Sequence, residues 1–227
     1  MTELAARLHA TEVLANALRQ LNAVAALTEV SESELHAAAR SAERLTEQLG
    51  HRLRQFPSLP LIDDLAEGIR NFNPVTGRGS PVSFPMGIDP AVADSVASVG
   101  RVTLGPNHEG HVGIAHGGIL ALLFDEILGS SASRKVWPSV TRNLSVTYLR
   151  PVPVGVPLVL NADVHAIEGR ALTVHGTIAL EEDPQKSLAT AQGSLVELSI
   201  EQSRRILGST LQRVGGVVRM AQAADGT

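Results

Sequence analysis

The chain has no cysteine among its 227 residues. This absence excludes disulfides, thiolate metal sites and a cysteine nucleophile. Aromatic residues make up only 3% of the chain, so base stacking or an aromatic cage around a ligand is not expected. The net charge of −4 leaves no basic excess with which to bind nucleic acid.

Long hydrophobic runs are also missing. No apolar stretch approaches the roughly 18 residues that a membrane span needs, and the first residues lack the basic-then-apolar pattern of a signal peptide. We therefore expect no membrane partner and a cytoplasmic location. The apolar fraction of 44% is ample for a core, and the length allows one domain with extensions or two small domains.

The composition divides the chain into four parts. Residues 1–55 are predicted to form a helical extension, with helices over 3–29 and 31–55. Ser31 and Glu34 form a capping-box pattern, and Gly50 is a plausible stop. Both helices are amphipathic and carry no chemical cluster, so we interpret them as packing or oligomer-contact helices. Proline and glycine recur across 56–94, which predicts a long irregular connector.

The most informative stretch begins at His116. Two glycines, Gly117 and Gly118, precede an apolar run that continues to Leu128. This pattern favours a loop that turns sharply into a buried helix, with its first free N–H groups pointing out of the helix start. Asp125 interrupts the apolar run, and a carboxylate in such a helix is costly unless it is paired, hydrogen-bonded or used in chemistry.

Gly117 and Asp125 are too far apart to act together within one subunit. Eight helical residues separate them by about 12 Å, whereas an oxyanion donor and a base must each approach the reacting atoms to about 3 Å. Two copies of the helix running antiparallel across a twofold axis would bring them together. A functional interpretation therefore requires a dimer.

Residues 95–200 are predicted to hold strands around this helix, which gives an α+β architecture. Four strands follow the helix, and their short connections are expected to make them antiparallel neighbours. In the first of these strands, alternation places Thr141 on the face opposite Leu144 and Tyr148. Asp183-Pro184 is expected to form the last turn. Residues 201–227 are predicted to add a short C-terminal helix and tail.

The order of strand, buried helix and four long strands resembles the hotdog fold. The residues Asn107-His108-Glu109-Gly110, then His116-Gly117-Gly118, Asp125 and Val140-Thr141 through Tyr148-x-x-Pro151-x-Pro153 resemble the PaaI-like acyl-CoA thioesterases. Within them, the similarity is to the branch of thioesterase-superfamily-member proteins. The resemblance covers roughly 95–198 and leaves the N-terminal helices without a counterpart.

The resemblance implies roles for several of these residues. The Gly117 N–H would polarise the thioester carbonyl, and Asp125 of the other subunit would act as general base or as nucleophile. Thr141 would hold the water or the carboxylate. Asn107, His108 and Gly118 would shape the site and line the substrate, while His116 would fix the glycine turn. The substrate would be an acyl-CoA, the enzyme a homodimer or homotetramer, and no bound cofactor would be needed.

Several alternatives remain open. Arg142 and Arg150 suit the phosphates of coenzyme A, although surface arginines are common. His108, His111 and His116 fit no closed zinc spacing, so no metal is expected. Glu126 points away from Asp125 and is interpreted as a structural partner. A hotdog enoyl-thioester hydratase or dehydratase and a non-catalytic acyl-CoA-binding protein are the rival functions.

Overall fold

A computed structural model describes residues 2–56, 58–64, 69–89, 97–203 and 205. Helices α1 and α2 span Glu3–Ala25 and Glu32–Gly50, so both are shorter than the predicted 3–29 and 31–55. Helix α1 ends early because Ser31 must adopt an extended conformation to cap α2, and β-branched residues precede it. The predicted capping box of Ser31 and Glu34 is confirmed.

The strands form a six-stranded antiparallel sheet and a small hairpin. The sheet order is β1-β2-β6-β7-β8-β5. The strands of this sheet are β1 Gly87–Ile88, β2 Ser98–Thr103, β5 Ser139–Tyr148, β6 Pro157–Glu168, β7 Ala171–Leu180 and β8 Asp183–Glu197. The hairpin pairs β3 Glu109–His111 with β4 Ile114–Ala115, and helix α3 follows at Gly117–Ser133. The predicted hotdog arrangement of an antiparallel sheet and one packed helix is confirmed.

The first two strands after the helix were expected to pair with each other, and this prediction is wrong. Strand β5 pairs with β8 at one edge of the sheet, whereas β6 pairs with β2. The connection 149–156 therefore crosses the end of the sheet. Its backbone is held there because the Ala115 N–H donates to the Val152 carbonyl at 2.8 Å and the Val154 N–H donates to Gly113 at 3.1 Å.

The last hairpin turns earlier than expected. The reversal occurs at residues 181–182, and Asp183 and Pro184 already belong to β8. Bulges shift the register between β7 and β8 at this end, so that Leu180 pairs with Asp183 and Ala179 with Ser187. A proline fits at such an irregular position because its missing N–H removes no regular ladder hydrogen bond.

Helix α3 is buried on one side only. Its buried residues are Leu120, Leu123, Phe124, Ile127, Leu128, Ser131 and Ala132. The sheet meets this side closely, because a Cβ on Gly176 or Gly193 would come within 3.0 Å of Leu128. Asp125 lies on the other side and is exposed, which corrects the expectation of a helix buried all round. That expectation came from apolar residues such as Leu122, which are only partly covered in a single chain.

The connector packs against the domain instead of hanging free. Its residues Val75, Phe84 and Met86 belong to the hydrophobic core. Helix α1 is attached to it through Arg19, whose guanidinium donates to the Ser80 carbonyl, and Ala15, one turn before Arg19 in α1, is buried. No helix in the described ranges is long and apolar enough to cross a membrane. Residues 200–203 and 205 are helical, and the rest of the predicted C-terminal helix and tail lies outside the described residues.

Candidate active site

The start of α3 presents one backbone donor. His116 is the N-cap, and its Nδ1 accepts the Gly118 N–H at 3.0 Å. The next two N–H groups, of Ile119 and Leu120, donate to the His116 carbonyl. Gly117 N–H makes no hydrogen bond to any residue that the structure describes. The first turn therefore leaves the Gly117 N–H available to a ligand, at the positive end of the helix dipole.

The loop before α3 is braced by its own backbone and by His108. The His116 N–H donates to the His108 carbonyl at 2.9 Å, and the His108 Nδ1 accepts the Gly105 N–H at 2.9 Å. The His108 ring also lies edge-on to Phe84, with 4.7 Å between ring centroids. Burial lowers the pKa of His108 below its ordinary value, so the neutral ring is favoured. These contacts support a role for His108 in bracing the loop.

Gly110 is needed because this loop passes so close to the N-cap. A Cβ at Gly110 would lie 2.8 Å from the His116 Cα, which is shorter than real contacts, and 3.0 Å from the His116 Cβ. The small hairpin around it is closed by Glu109, whose Oε1 accepts the Gly113 N–H at 2.8 Å. Asn107, in the 3₁₀ turn Pro106–His108, is exposed at the edge of this loop.

Gly117 lies in the wall of an open groove of about 380 Å³. The groove is mostly apolar, and it is lined by Ile114, Ala115, Gly117, Leu120, Tyr148, Leu149, Arg150, Pro151 and Val152. Five of these residues, 148–152, belong to the end of β5 and the crossing connection. The unexpected path of the connection over the sheet end is therefore what builds one wall of the groove. Arg150 supplies its positive charge and donates to the Ser187 carbonyl at 2.9 Å.

Tyr148 contacts the proposed donor residue directly. Its hydroxyl donates to the Gly117 carbonyl at 2.9 Å. A Cβ at Gly117 would lie 3.1 Å from this hydroxyl oxygen and 3.2 Å from the ring carbon that bears it. Tyr148 thus covers the glycine from the sheet side and fixes the first peptide of α3.

Asp125 and Glu126 have different surroundings. Asp125 is exposed, and it lies about 12 Å along α3 from Gly117, at about 1.5 Å per residue. Glu126 faces the connector, where it accepts hydrogen bonds from Arg70 at 2.7 Å, Asn73 at 2.9 Å and Thr76 at 3.4 Å. This network agrees with the expected structural role of Glu126, whereas Asp125 makes no hydrogen bond or ion pair with the residues that the structure describes.

A bulge changes the face on which Thr141 lies. Thr141 pairs with Leu195, but Asn143 pairs with Ser194, so one extra residue is inserted in β5. Paired residues share a face, and Leu195 belongs to the core beneath α3. Thr141 therefore lies on the helix side of the sheet with Leu144 and Tyr148, which contradicts the predicted alternation. The bulge is the physical reason, because an extra residue reverses the alternation beyond it.

The two candidate phosphate-binding arginines are far apart. Arg142 lies at the bulge near the start of β5, and Arg150 follows the strand's other end. Eight extended residues span about 26 Å, so one chain does not bring both guanidinium groups to the same phosphate. Within the described ranges, no three histidine or acidic side chains form a cluster that could hold a metal ion.

Sequence reasoning missed the two residues that frame the donor. The sequence motif assigns Tyr148 no contact with the glycine turn, although alternation places it on one face with Leu144. The motif likewise gives Gly110 no role. Its close approach to His116 depends on the β3–β4 hairpin, which has strands of only three and two residues and gives no periodic signal.

The fold and this site define a hotdog domain with a backbone donor at the start of its packed helix. A solved structure of a thioesterase superfamily protein has the same fold, with a TM-score of 0.73 and 24% sequence identity. The similarity covers 82% of this chain and 90% of that one. Residues 112–186, about a third of the chain, match the family model of the thioesterase superfamily.

Relatives similar in sequence are named acyl-coenzyme A thioesterases. THEM4 of Bos taurus is 32% identical over 99 residues, 44% of this chain and 40% of that protein. THEM5 of Mus musculus is 35% identical over 98 residues, 43% of this chain and 39% of that protein. The chain thus spans about two fifths of the length of these curated relatives. The predicted resemblance is confirmed, and residues 112–186 carry a thioesterase superfamily domain.

Proposed function

We propose that this protein hydrolyses an acyl-CoA thioester to a free acid and coenzyme A. The observation that carries the proposal is the Gly117 N–H in the wall of the groove, which has no hydrogen-bond partner in the described part of the chain. A fixed backbone donor at a helix start stabilises negative charge as it develops on a carbonyl oxygen. The names of the sequence relatives support the same reaction and the same substrate class.

In this proposal, Asp125 of a second subunit activates the water. Asp125 takes a proton from water, and the oxygen attacks the thioester carbonyl carbon while the Gly117 N–H holds the oxyanion. The tetrahedral intermediate then collapses, the C–S bond breaks, and the thiolate of coenzyme A receives the proton. In the variant mechanism, Asp125 attacks the carbonyl itself, the C–S bond breaks, and the thiolate of coenzyme A leaves. Water then hydrolyses the mixed anhydride, which releases the acid, regenerates the Asp125 carboxylate and supplies the proton for the thiolate.

Two features support a shared site between two subunits. Asp125 and Gly118 are exposed on the side of α3 that the sheet does not cover, so this side is available to a second helix. Strand β5 is a ten-residue edge strand, and the outer backbone groups of an edge strand are free to pair with another chain. A dimer that uses both would place Gly117 of one subunit near Asp125 of the other. Thr141, on the helix side of β5, would then face the same space and hold the water.

Arg150 is the best candidate for contact with coenzyme A. It is exposed at the groove, where a guanidinium group can pair with phosphate oxygens. Arg142 belongs to the same binding site only if the second subunit supplies it, given the length of β5 between them.

A pair of substitutions at Gly117 tests the donor. His116 has φ −64° and ψ 134°, a conformation that suits a residue before proline, and proline is favoured at the first helical position. Gly117→Pro therefore removes the N–H while preserving the helix start. We expect kcat for thiol release from acyl-CoA to fall about 10²–10³-fold.

Gly117→Ala is the matched control, because it adds a Cβ beside Tyr148 but retains the N–H. We expect most of the activity to remain in it. Equal losses in both variants would contradict the donor role.

The Asp125→Asn variant tests the carboxylate, and it should abolish turnover but still bind acyl-CoA. If the wild-type protein itself binds acyl-CoA without releasing thiol, the protein is a binding protein. Loss of the enoyl chromophore without thiol release would indicate a hydratase.

A further inference from the structure

The N-terminal helices carry apolar stripes that the described part of the chain leaves uncovered. Helix α2 has no buried residue, yet one side of it is apolar throughout its length. The stripe consists of Leu35, Ala38, Ala42, Leu45 and Leu49, at alternating steps of three and four residues. Leu35 and Leu49 are 49% and 46% exposed. This spacing is that of a coiled-coil seam.

Helix α1 carries a second stripe of the same kind. Its inner side is anchored to the connector by Arg19, and Ala15 on the same side is buried. On the opposite side lie Ala10, Leu14, Ala17, Leu21 and Val24, again at steps of three and four residues. Leu21 and Val24 are 50% and 62% exposed. Both N-terminal helices thus carry an exposed apolar stripe, and one contact that covers both stripes would explain them together.

The two stripes match each other when the helices run antiparallel. Each covers about 21 Å of helix, at about 1.5 Å per residue. In that alignment, every layer joins one seam residue of α1 to one of α2, and the layers are Val24–Leu35, Leu21–Ala38, Ala17–Ala42, Leu14–Leu45 and Ala10–Leu49. The positions that flank both seams are uncharged except for Glu34. The charged residues of both helices otherwise lie away from the seams, as burial of the seams would require.

Within one chain the two helices do not pack against each other. Each is closed by its own cap, α1 at Ala26 and α2 at Ser31. We propose that the seams pair between two copies of the chain, with α1 of one copy antiparallel to α2 of the other. A twofold axis makes this contact twice, so a dimer buries all four seams. The proposal is independent of thioester hydrolysis.

Engineered disulfides test this pairing directly, because the native chain has no cysteine. The central layer joins Ala17 to Ala42, both exposed, so Ala17→Cys and Ala42→Cys are combined in one full-length chain. Under a mild thiol–disulfide redox buffer, we expect a covalent dimer of twice the 23.9 kDa chain mass that reductant reverses. Either single variant alone should remain monomeric on a non-reducing gel.

The control combines Ala17→Cys with Ala37→Cys. Ala37 is also exposed on α2, but it lies about 140° around the helix from Ala42. Circular dichroism of the reduced proteins checks that all variants have the same helix content. The proposal is overturned if the Ala17/Ala42 pair closes within one chain, if no disulfide forms, or if the control cross-links equally. Cross-linking of Ala42→Cys alone would show α2 pairing with itself and would also overturn it.

Discussion

At the residue scale, the position of the Gly117 N–H depends on the side chains that surround Gly117. His116 occupies the Gly118 N–H, and Tyr148 occupies the Gly117 carbonyl at 2.9 Å. Tyr148 reaches Gly117 from strand β5 of the sheet, whereas His116 belongs to the loop that precedes α3. Both bonds fix the peptide group between Gly117 and Gly118, while the carbonyl of the preceding peptide, His116, accepts the N–H groups of Ile119 and Leu120. Among the described residues, this leaves the Gly117 N–H as the available donor.

Removal of the Tyr148 hydroxyl should loosen this turn without unfolding the protein. A single neutral hydrogen bond contributes about 1 kcal/mol, so we expect Tyr148→Phe to lower kcat about 5-fold. The KM for acyl-CoA should change less, because the ring still lines the groove. Steady-state thiol release checks this, and Tyr148→Leu, which also removes the ring cover, should lose more. An unchanged kcat in Tyr148→Phe would show that the hydroxyl does not position the donor.

His108 should make stability depend on pH. Burial lowers its pKa in the folded state, so the unfolded chain binds the proton more readily. The stability that neutral His108 contributes is therefore fully present above the pKa of about 6.5 that histidine has in the unfolded chain. This stability is lost as the pH falls towards the lower pKa of His108 in the folded protein. We expect the free energy of unfolding in urea to fall less between about pH 7.5 and 5.5 in His108→Asn than in wild type.

His111→Asn is the control for this measurement, because His111 is exposed in the small hairpin. The free energy of unfolding of the His111→Asn variant should change with pH as that of wild type does. A His108→Asn variant with the wild-type slope would show that another group causes the acid destabilisation.

At the scale of elements, the helix and long strands were predictable, but the irregularities between them were not. Gly117-Gly118 before an apolar run indicates a helix start, and period-two alternation indicates strands such as Ser139–Tyr148. The β5 bulge and the crossing of 149–156 from the edge strand β5 to the interior strand β6 leave no periodic trace in a single sequence. These two features decide where Thr141 faces and what lines the groove.

The connector and α3 should stabilise each other through Glu126. Its side chain is 16% exposed and holds Arg70, Asn73 and Thr76. Glu126→Ala leaves the partly buried Asn73 amide without this acceptor, so we expect a loss of about 1–3 kcal/mol of stability. Calorimetry should show Tm lower by about 2–4 °C for each kcal/mol lost. Glu43→Ala, at an exposed position of α2, should leave Tm unchanged.

At the scale of the whole molecule, one subunit supplies only half of each proposed site. The Gly117 N–H and the Asp125 carboxylate lie at separate places along α3, and both are open to a second chain. The requirement for two subunits follows from helix geometry alone, since eight residues span about 12 Å. Each of the two sites in a dimer would then use the donor of one chain and the carboxylate of the other.

Subunit complementation measures this sharing most directly. Gly117→Pro and Asp125→Ala, each inactive alone, are unfolded together and refolded as a mixture. Random pairing makes half the dimers mixed, and each mixed dimer regains one of its two sites, so about a quarter of wild-type thiol release should return. A mixture as inactive as its two components would contradict a site shared between subunits.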